Sequence, residues 1–271
     1  MAQPIAIERP EAAAPRRLDW LPFILPGVLL SAWALLSHTG HVPGYVLPSP
    51  GRLVLSALDF VLGKWHLDAY SGTFLQHAAA SLQRVALGFA LAALAGVLCG
   101  LLTGCSPHAR RLLDPSVHAV RAVPGIGWLP IAMVWFGVGT RTAVFLIALA
   151  AFFPIYVNAA LGARTVRPLW LRAARMLGAS QRDLFLTVTL PAGLPATAEG
   201  LRLGLGVSWA YLVLGELTGV PDGLGAVMMD ARMNGQVEVI LTSMLAIAGM
   251  GRLSDLLLVA LFRRVLPLHP R

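Results

Sequence analysis

Charge is scarce in this chain of 271 residues: 13% are Asp, Glu, Lys or Arg, where a soluble domain carries roughly a quarter. A water-facing surface cannot be built from so little charge. The hydrophobic residues, 57% of the total, come in long blocks rather than dispersed stripes, so water is not the main solvent. Lysine is almost missing, with Lys64 alone in Gly63-Lys64-Trp65. A P-loop needs a Gly-rich turn closing on Gly-Lys-Ser/Thr, whose lysine holds the terminal phosphates; this sequence has none and is not such an ATPase. Cysteine is sparse too: Cys99 and Cys105 sit in or at the end of one apolar block and read as packing residues rather than a disulfide or metal pair. His38 and His41 have the spacing of a metal pair but no third ligand in view. No Ser-His-Asp or paired-carboxylate constellation is visible. Neither catalytic residues nor a bound cofactor or metal is expected. No clean small-residue cleavage site follows the first apolar block, so no cleavable signal peptide is expected.

Six apolar blocks are present, each near the roughly 20 residues that a helix needs to cross the hydrocarbon core. They run 20–37, 79–104, 117–137, 141–162, 196–217 and 238–262. The pattern predicts an all-α polytopic membrane protein of about six transmembrane helices, with tails at 1–19 and 263–271 flanking a membrane domain over 20–262. Residues 50–63 read as a short amphipathic helix at the interface. The net charge of +8 does not point to nucleic acid, because the arginines fall between the apolar blocks. With the N-terminus inside, thirteen Arg lie in cytoplasmic segments (9, 16, 17, 110, 111, 164, 167, 172, 175, 182, 263, 264 and 271) against four Arg or Lys outside. The positive-inside rule therefore predicts both termini in the cytoplasm. Gly88, Ala92, Gly96, Gly100 and Gly104 repeat every four residues along one helix face, a surface for close backbone approach either within the chain or to a second copy.

The segment between the fourth and fifth blocks, residues 164–195, is too long for a minimal connector and too polar to cross. Helix formers over Leu169–Leu177 are interrupted by Gly178. A second run, Ser180–Leu190, opens on a Ser180 cap with Asp183 in its first turn. Pro191 and Pro195 are expected to stop that run before the next block begins. Two short helices around a glycine bend read either as an ordinary structured loop or as a projection suited to a groove on a partner.

Ala173-Ala174, three residues, Gly178, nine residues, then Val188-Thr189-Leu190-Pro191 resembles the EAA loop of bacterial ATP-binding-cassette (ABC) importer permeases. Arg172 stands where that pattern has Glu, and Val188 where it has Ile. Further stretches, among them LPSPGRL (47–53), RAVPGIGWLPIAMVWFGVGT (121–140) and GLRLGLGVSWAYLVLGEL (200–217), are similar to the nitrate/sulfonate/taurine branch. The resemblance implies a type I importer (MetI-like) permease fold in the bacterial inner membrane. It also implies a homodimer working with two cytoplasmic ABC ATPase subunits, which bind the ATP-Mg, and with a soluble substrate-binding protein outside. The loop, including Ala179 and Ser180, becomes the coupling element to the ATPase. The implied cargo is a small oxyanion, with alkanesulfonate or taurine ahead of nitrate. The rival class is an autonomous secondary transporter or channel, which calls for inverted repeats, or broken helices with ion-coupling groups; no repeat between the halves is visible in the sequence.

Polar and aromatic residues within the blocks are candidates for the translocation path, because ionisable groups there cost about 2.5–3.5 kcal/mol each. Arg84 near the outer third of the second block is a candidate attractor of anions. Glu216, two turns past Ser208 and Trp209, is a candidate for the mouth of the path or for a carboxylate paired with an arginine. Trp128, Asn158 and Tyr211 are further candidates. Arg121 and Arg202 read as snorkelling residues at block starts near the cytoplasmic face.

Overall fold

The computed structural model describes residues 20–39 and 42–265, which divide into two units, residues 1–50 and 51–271. The expected 1–19 tail, His41 and the last residues of the C-terminal tail lie outside the described residues. In the first unit, α1 (Leu21–His38) matches the first block. The chain after it turns so that the Trp33 indole N–H donates to the Pro48 carbonyl at 3.0 Å.

In the second unit, α2 (Pro50–Leu62) is the short helix expected at 50–63. The long helices α3 (Phe74–Cys105) and α6 (Thr140–Arg164) correspond to the second and fourth blocks. α3 meets α6 in rising register: Gly88 faces Ile147, Gly96 faces Ile155 and Gly104 faces Ala163. The two helices are therefore parallel, so the chain between them has to return across the layer. It does so as a broken element, α4 (Pro107–Ala122) and α5 (Leu129–Phe136), joined through a turn of 3-10 helix and bent by 89°. The single span expected over 117–137 is thus corrected. Val123 precedes Pro124 and is extended, with ψ of 121°, because the proline ring disfavours helical geometry in the residue before it.

The α3 glycine stripe packs inside the chain. A Cβ on Gly100 would stand 2.6 Å from the Tyr156 carbonyl, and one on Gly96 2.9 Å from Ile155. A later helix, α9 (Leu190–Glu216), runs antiparallel to α6 and presses a second small-residue face on it, Gly193 against Gly162 and Gly215 against Ala143. Held on both sides, α6 buries Leu146, Ile147, Ile155 and Tyr156 completely or nearly so. After α10 (Leu224–Met233), the last helix, α11 (Val237–Val265), lies antiparallel to α9, with Arg202 paired to Asp255 at 3.0 Å. Arg263 and Arg264, expected in a tail, continue this helix. The ends of α3, α6 and α11 and the start of α9 gather at one end of the unit. No strand occurs among the described residues.

The 164–195 segment forms α7 (Pro168–Met176) and a single turn, α8 (Gln181–Asp183), followed by six π-helical residues, Leu184–Thr189, that run directly into α9. Pro191 was expected to stop the second run; instead Gln181–Glu216 is one candidate membrane span of 36 residues. The π turn explains the continuity. Leu190 N–H donates to Phe185 five residues back, and the wider ladder accommodates a proline whose ring would clash with the carbonyl four residues earlier in an α-helix.

At the opposite end, Asp59 organises the loop between α2 and α3. Its carboxylate accepts from the Trp65 N–H at 2.7 Å, the His66 N–H at 3.1 Å, the Leu67 N–H at 2.9 Å and the Ser71 hydroxyl. It is wholly occluded. Burial pushes its pKa up, but the Ser71 hydroxyl and the three amides more than offset this and hold it at about 2.

Two predictions follow from this packing. Gly100→Ala forces backbone apart and is expected to cost about 1–3 kcal/mol, read as a lower unfolding midpoint in detergent. Gly249→Ala, with nothing within 4 Å of the added Cβ, is expected to leave the midpoint unchanged or raise it. A carboxylate whose folded pKa is depressed contributes stability above its unfolded value near 3.9 and loses it as pH falls towards the folded value. Amide protection at Trp65–Leu67, corrected for intrinsic exchange, is expected to hold from pH 7 to 5 and decay towards pH 2; Asp59→Asn is expected to lack it throughout.

Candidate functional site

Two regions carry the residues singled out in the sequence. The first is the loop. Gly178 takes φ of 84°, which L side chains rarely adopt. Around it Ala179 N–H donates to Ala174 O at 3.1 Å and Gly178 N–H to Arg175 O at 3.0 Å. This pair of bonds is the Schellman ending of a helix. The three-residue gap between Ala174 and Gly178 is therefore geometric: the glycine is the left-handed residue after the helix, and Ala174 supplies the carbonyl that the residue beyond it must reach. Ser180 and Asp183 then cap the next turn reciprocally, Ser180 N–H donating to the Asp183 carboxylate at 3.0 Å and Asp183 N–H to the Ser180 hydroxyl at 3.2 Å. Arg172 and Ala173 on α7 are exposed, and Arg172 has no ion partner among the described residues. Leu169 at 72%, and Met176 and Leu177 at 88% exposure, leave an apolar ridge on the loop. Val188 lies in the π turn, while Leu190 and Pro191 begin α9.

The second region is a cavity of about 550 Å³ between the α4–α5 break, α6 and α9, lined by Trp128, Asn158 and Tyr211 together with Arg121, Phe153 and Val207. Tyr211 reaches across to Gly125, where an added Cβ would overlap its hydroxyl. Asn158 donates to the Pro154 carbonyl at 2.8 Å. The Trp128 indole N–H is buried with no acceptor among the described residues. Arg121, expected at a block start near one face, stands instead at the bend and lines this cavity. The sequence could not place it there because the break was not foreseen.

Arg84, Ser208, Trp209 and Glu216 do not line the cavity. Ser208 donates back to the Gly204 carbonyl at 2.8 Å and Trp209 to the Ser254 hydroxyl at 2.9 Å, both within the helix core. Arg84 and Glu216 pair with each other at 2.7 Å, their side chains 4% and 0% exposed. Around them a network ties four segments together. Glu216 also accepts from Ser81 at 2.8 Å and from Gly225 N–H at 2.7 Å. Arg84 donates to Thr140 at 3.2 Å, to the Asp222 carbonyl at 2.8 Å and to the Asp222 carboxylate. The signals missed in the sequence were Ser81 and Asp222, each unremarkable alone. His38 is exposed, and no cluster of three metal-ligating side chains occurs among the described residues.

The geometry is thus a bundle of tightly packed membrane-length helices with a capped two-helix loop at one end and a cavity beside a broken helix. Residues 92–267 match the family described as binding-protein-dependent transport system inner membrane component. The taurine transport system permease protein TauC of Escherichia coli is 37% identical over 89% of this chain and 87% of its own. SsuC of Bacillus subtilis, assigned to aliphatic sulfonates transport, is 35% identical over 93% and 88%. The nitrate import permease protein NrtB of Leptolyngbya laminosa is 33% identical over 89% and 85%. A chain of the inward-facing MetNI methionine ABC transporter shares the fold, with a TM-score of 0.56 at 18% identity over 69% of this chain and 94% of that one. The chain belongs to this family of ABC importer permeases, in its sulfonate/taurine/nitrate branch.

Removing one partner of a buried ion pair strands the other and costs about 3–5 kcal/mol. Arg84→Met is therefore expected to abolish or sharply lower the yield of folded chain. Glu216→Gln, which keeps one acceptor oxygen that Ser81 and Gly225 can share while Asp222 still faces Arg84, is expected to lower the unfolding midpoint less. Equal midpoints for the two variants would contradict the clamp.

Proposed function

We propose that this chain acts as one half of a permease homodimer that imports a small oxyanion by alternating access, with alkanesulfonate or taurine ahead of nitrate as cargo. ATP is hydrolysed on two separate ABC ATPase subunits, and a soluble binding protein delivers cargo from outside. The observation that carries this reading is the loop at 164–195: a rigidly capped pair of helical turns whose apolar ridge, Leu169, Met176 and Leu177, has no cover within the described residues. Uncovered apolar residues on a preorganised projection favour a groove on a partner. With the ATPase docked there, the loop end faces the cytoplasm, and the C-terminal end of α11 shares that side. The arginine distribution favours a cytoplasmic N-terminus as well.

The cavity is proposed as the chain's share of the translocation path. Arg121 and the unpaired Trp128 N–H supply donors suited to an oxyanion, and Tyr211 and Asn158 supply polar contacts on apolar walls. The preference for organosulfonates rests on the sulfonate and taurine relatives. Arg84 and Glu216 are proposed to hold the outer ends of the helices in register rather than to touch cargo. Arg172 in place of the motif Glu gives the ridge a positive neighbour, so an acidic counterpart on the ATPase is expected.

The test is co-purification of the ATPase with the tagged chain from mild detergent, assayed as vanadate-sensitive hydrolysis. Space around Gly178 is open, so the constraint there is its φ. Gly178→Val, which resists φ of this sign, is expected to reduce recovered ATPase about tenfold. Gly178→Asn, which tolerates it, is expected to stay within about twofold of the parent. Full recovery with the valine variant would sink the docking assignment.

A further inference from the structure

At the loop end, a cavity of about 470 Å³ is lined by Arg110, Arg164 and Arg175 together with Cys105 and Phe185. Arg164 is partly neutralised by Asp114 at 3.1 Å. Arg110 and Arg175 have no ionic partner among the described residues, and no carboxylate lines the cavity. Beside it lies a second hollow of about 390 Å³, bounded by Leu98, Leu101, Leu102 and Ser106 and sharing Cys105 and Phe185 with the first. Its exposed lining is wholly apolar. Leu98 and Leu102 are exposed on α3 four residues apart, so this groove runs along the helix away from the arginines.

We propose that the joined cavities form a binding site for an anionic phospholipid. Its phosphate is held by Arg110 and Arg175, and one acyl chain lies along Leu98, Leu101 and Leu102, passing Cys105 and Phe185. The charge and the apolar groove each leave half of an amphipathic ligand unaccounted for, and the wall they share, Cys105 and Phe185, joins the halves. Basic pockets at helix ends recognise such headgroups, while the hydrocarbon reads only apolar surface. A zwitterionic lipid brings its own cation and gains little from two unpaired arginines. The site touches moving parts: Arg175 belongs to α7 and Phe185 to the π turn, so a bound lipid braces the loop from behind. This inference needs the chain to be in a membrane and does not depend on the cargo or on ATPase docking.

The experiment is native mass spectrometry of the detergent-purified full chain, titrated with short-chain phosphatidylglycerol or phosphatidylcholine. The parent is expected to retain phosphatidylglycerol at least about tenfold better. Arg110→Gln with Arg175→Gln is expected to erase the preference, and Arg110→Lys with Arg175→Lys to restore most of it. Equal retention of the two lipids by the parent, or an unchanged preference in the glutamine pair, overturns the site. Millimolar inorganic phosphate without effect supports a lipid; complete displacement by phosphate makes it a free-anion site and overturns the lipid assignment. Should the glutamine pair not fold, a photoreactive residue in place of Leu101 gives a separate readout. Preferential capture of phosphatidylglycerol is expected there, and equal capture of both lipids refutes the proposal.

Discussion

Everything in the second unit hangs on how closely α6 can be approached. In a bilayer the lipid tails are as apolar as the helices, so apolar burial does not drive helices together; van der Waals contact and interhelical hydrogen bonds have to. Dispersion is felt only at contact distance, and contact between backbones requires the absence of side chains. The glycines of α3 and α9 supply that absence on two sides of α6, down to distances at which a methyl group would not fit. Polar clamps then fix the register at the two ends. At one end Arg84, Glu216 and Ser81 join α3 to α9, with Thr140 drawing in α6. At the other, Asp114 on α4 accepts from Arg164 and Tyr156 on α6. A core built this way is stiff along its length. What both clamps leave out is α5, beyond the bend, and the loop from Thr165 on.

The parts of this arrangement that could be read in the sequence are those written in local chemistry. Block lengths gave α1, α3, α6, α9 and α11 because the hydrocarbon layer imposes a minimum run of apolar residues. The loop was legible for a related reason: the spacing from Ala174 to Gly178 and from Ser180 to Asp183 is set by hydrogen bonds within a few residues. Two features were not legible. The proline at 124 was hidden in a block whose hydropathy is continuous, since hydropathy registers transfer energy and not backbone geometry. At 191 the reverse holds: a proline reads locally as a helix stop, and a π turn carries the chain through.

The candidate site divides along the same line. Trp128, Asn158 and Tyr211 were picked out as polar or aromatic residues in apolar blocks, and three different elements bring them to one cavity. Arg84, Ser208, Trp209 and Glu216 were picked out by the same rule and face elsewhere. Cost of insertion marks a residue as needing a partner; it does not say whether that partner is cargo or another helix. Only the third dimension separates the two, here through Ser81 and Asp222, which lie 135 residues from Glu216 and 138 from Arg84 respectively.

The correction at Pro191 bears directly on coupling. Had the proline broken the chain, a force on the loop would have dissipated at a hinge before reaching the membrane helices. The uninterrupted run from Gln181 to Glu216 instead makes the loop and the cavity wall two ends of one element, with Leu203, Val207 and Tyr211 on the same rod that begins at the Ser180 cap. The π turn loosens the ladder near the start of that rod, and Pro195 inside α9 leaves a further gap in it. A lever needs stiffness along its length and some freedom near its point of attack, and the sequence from Asp183 to Pro191 supplies both. In the proposed importer, closure of the ATPase pair would then act on the cavity through α9 itself, which carries with it the core to which it is clamped.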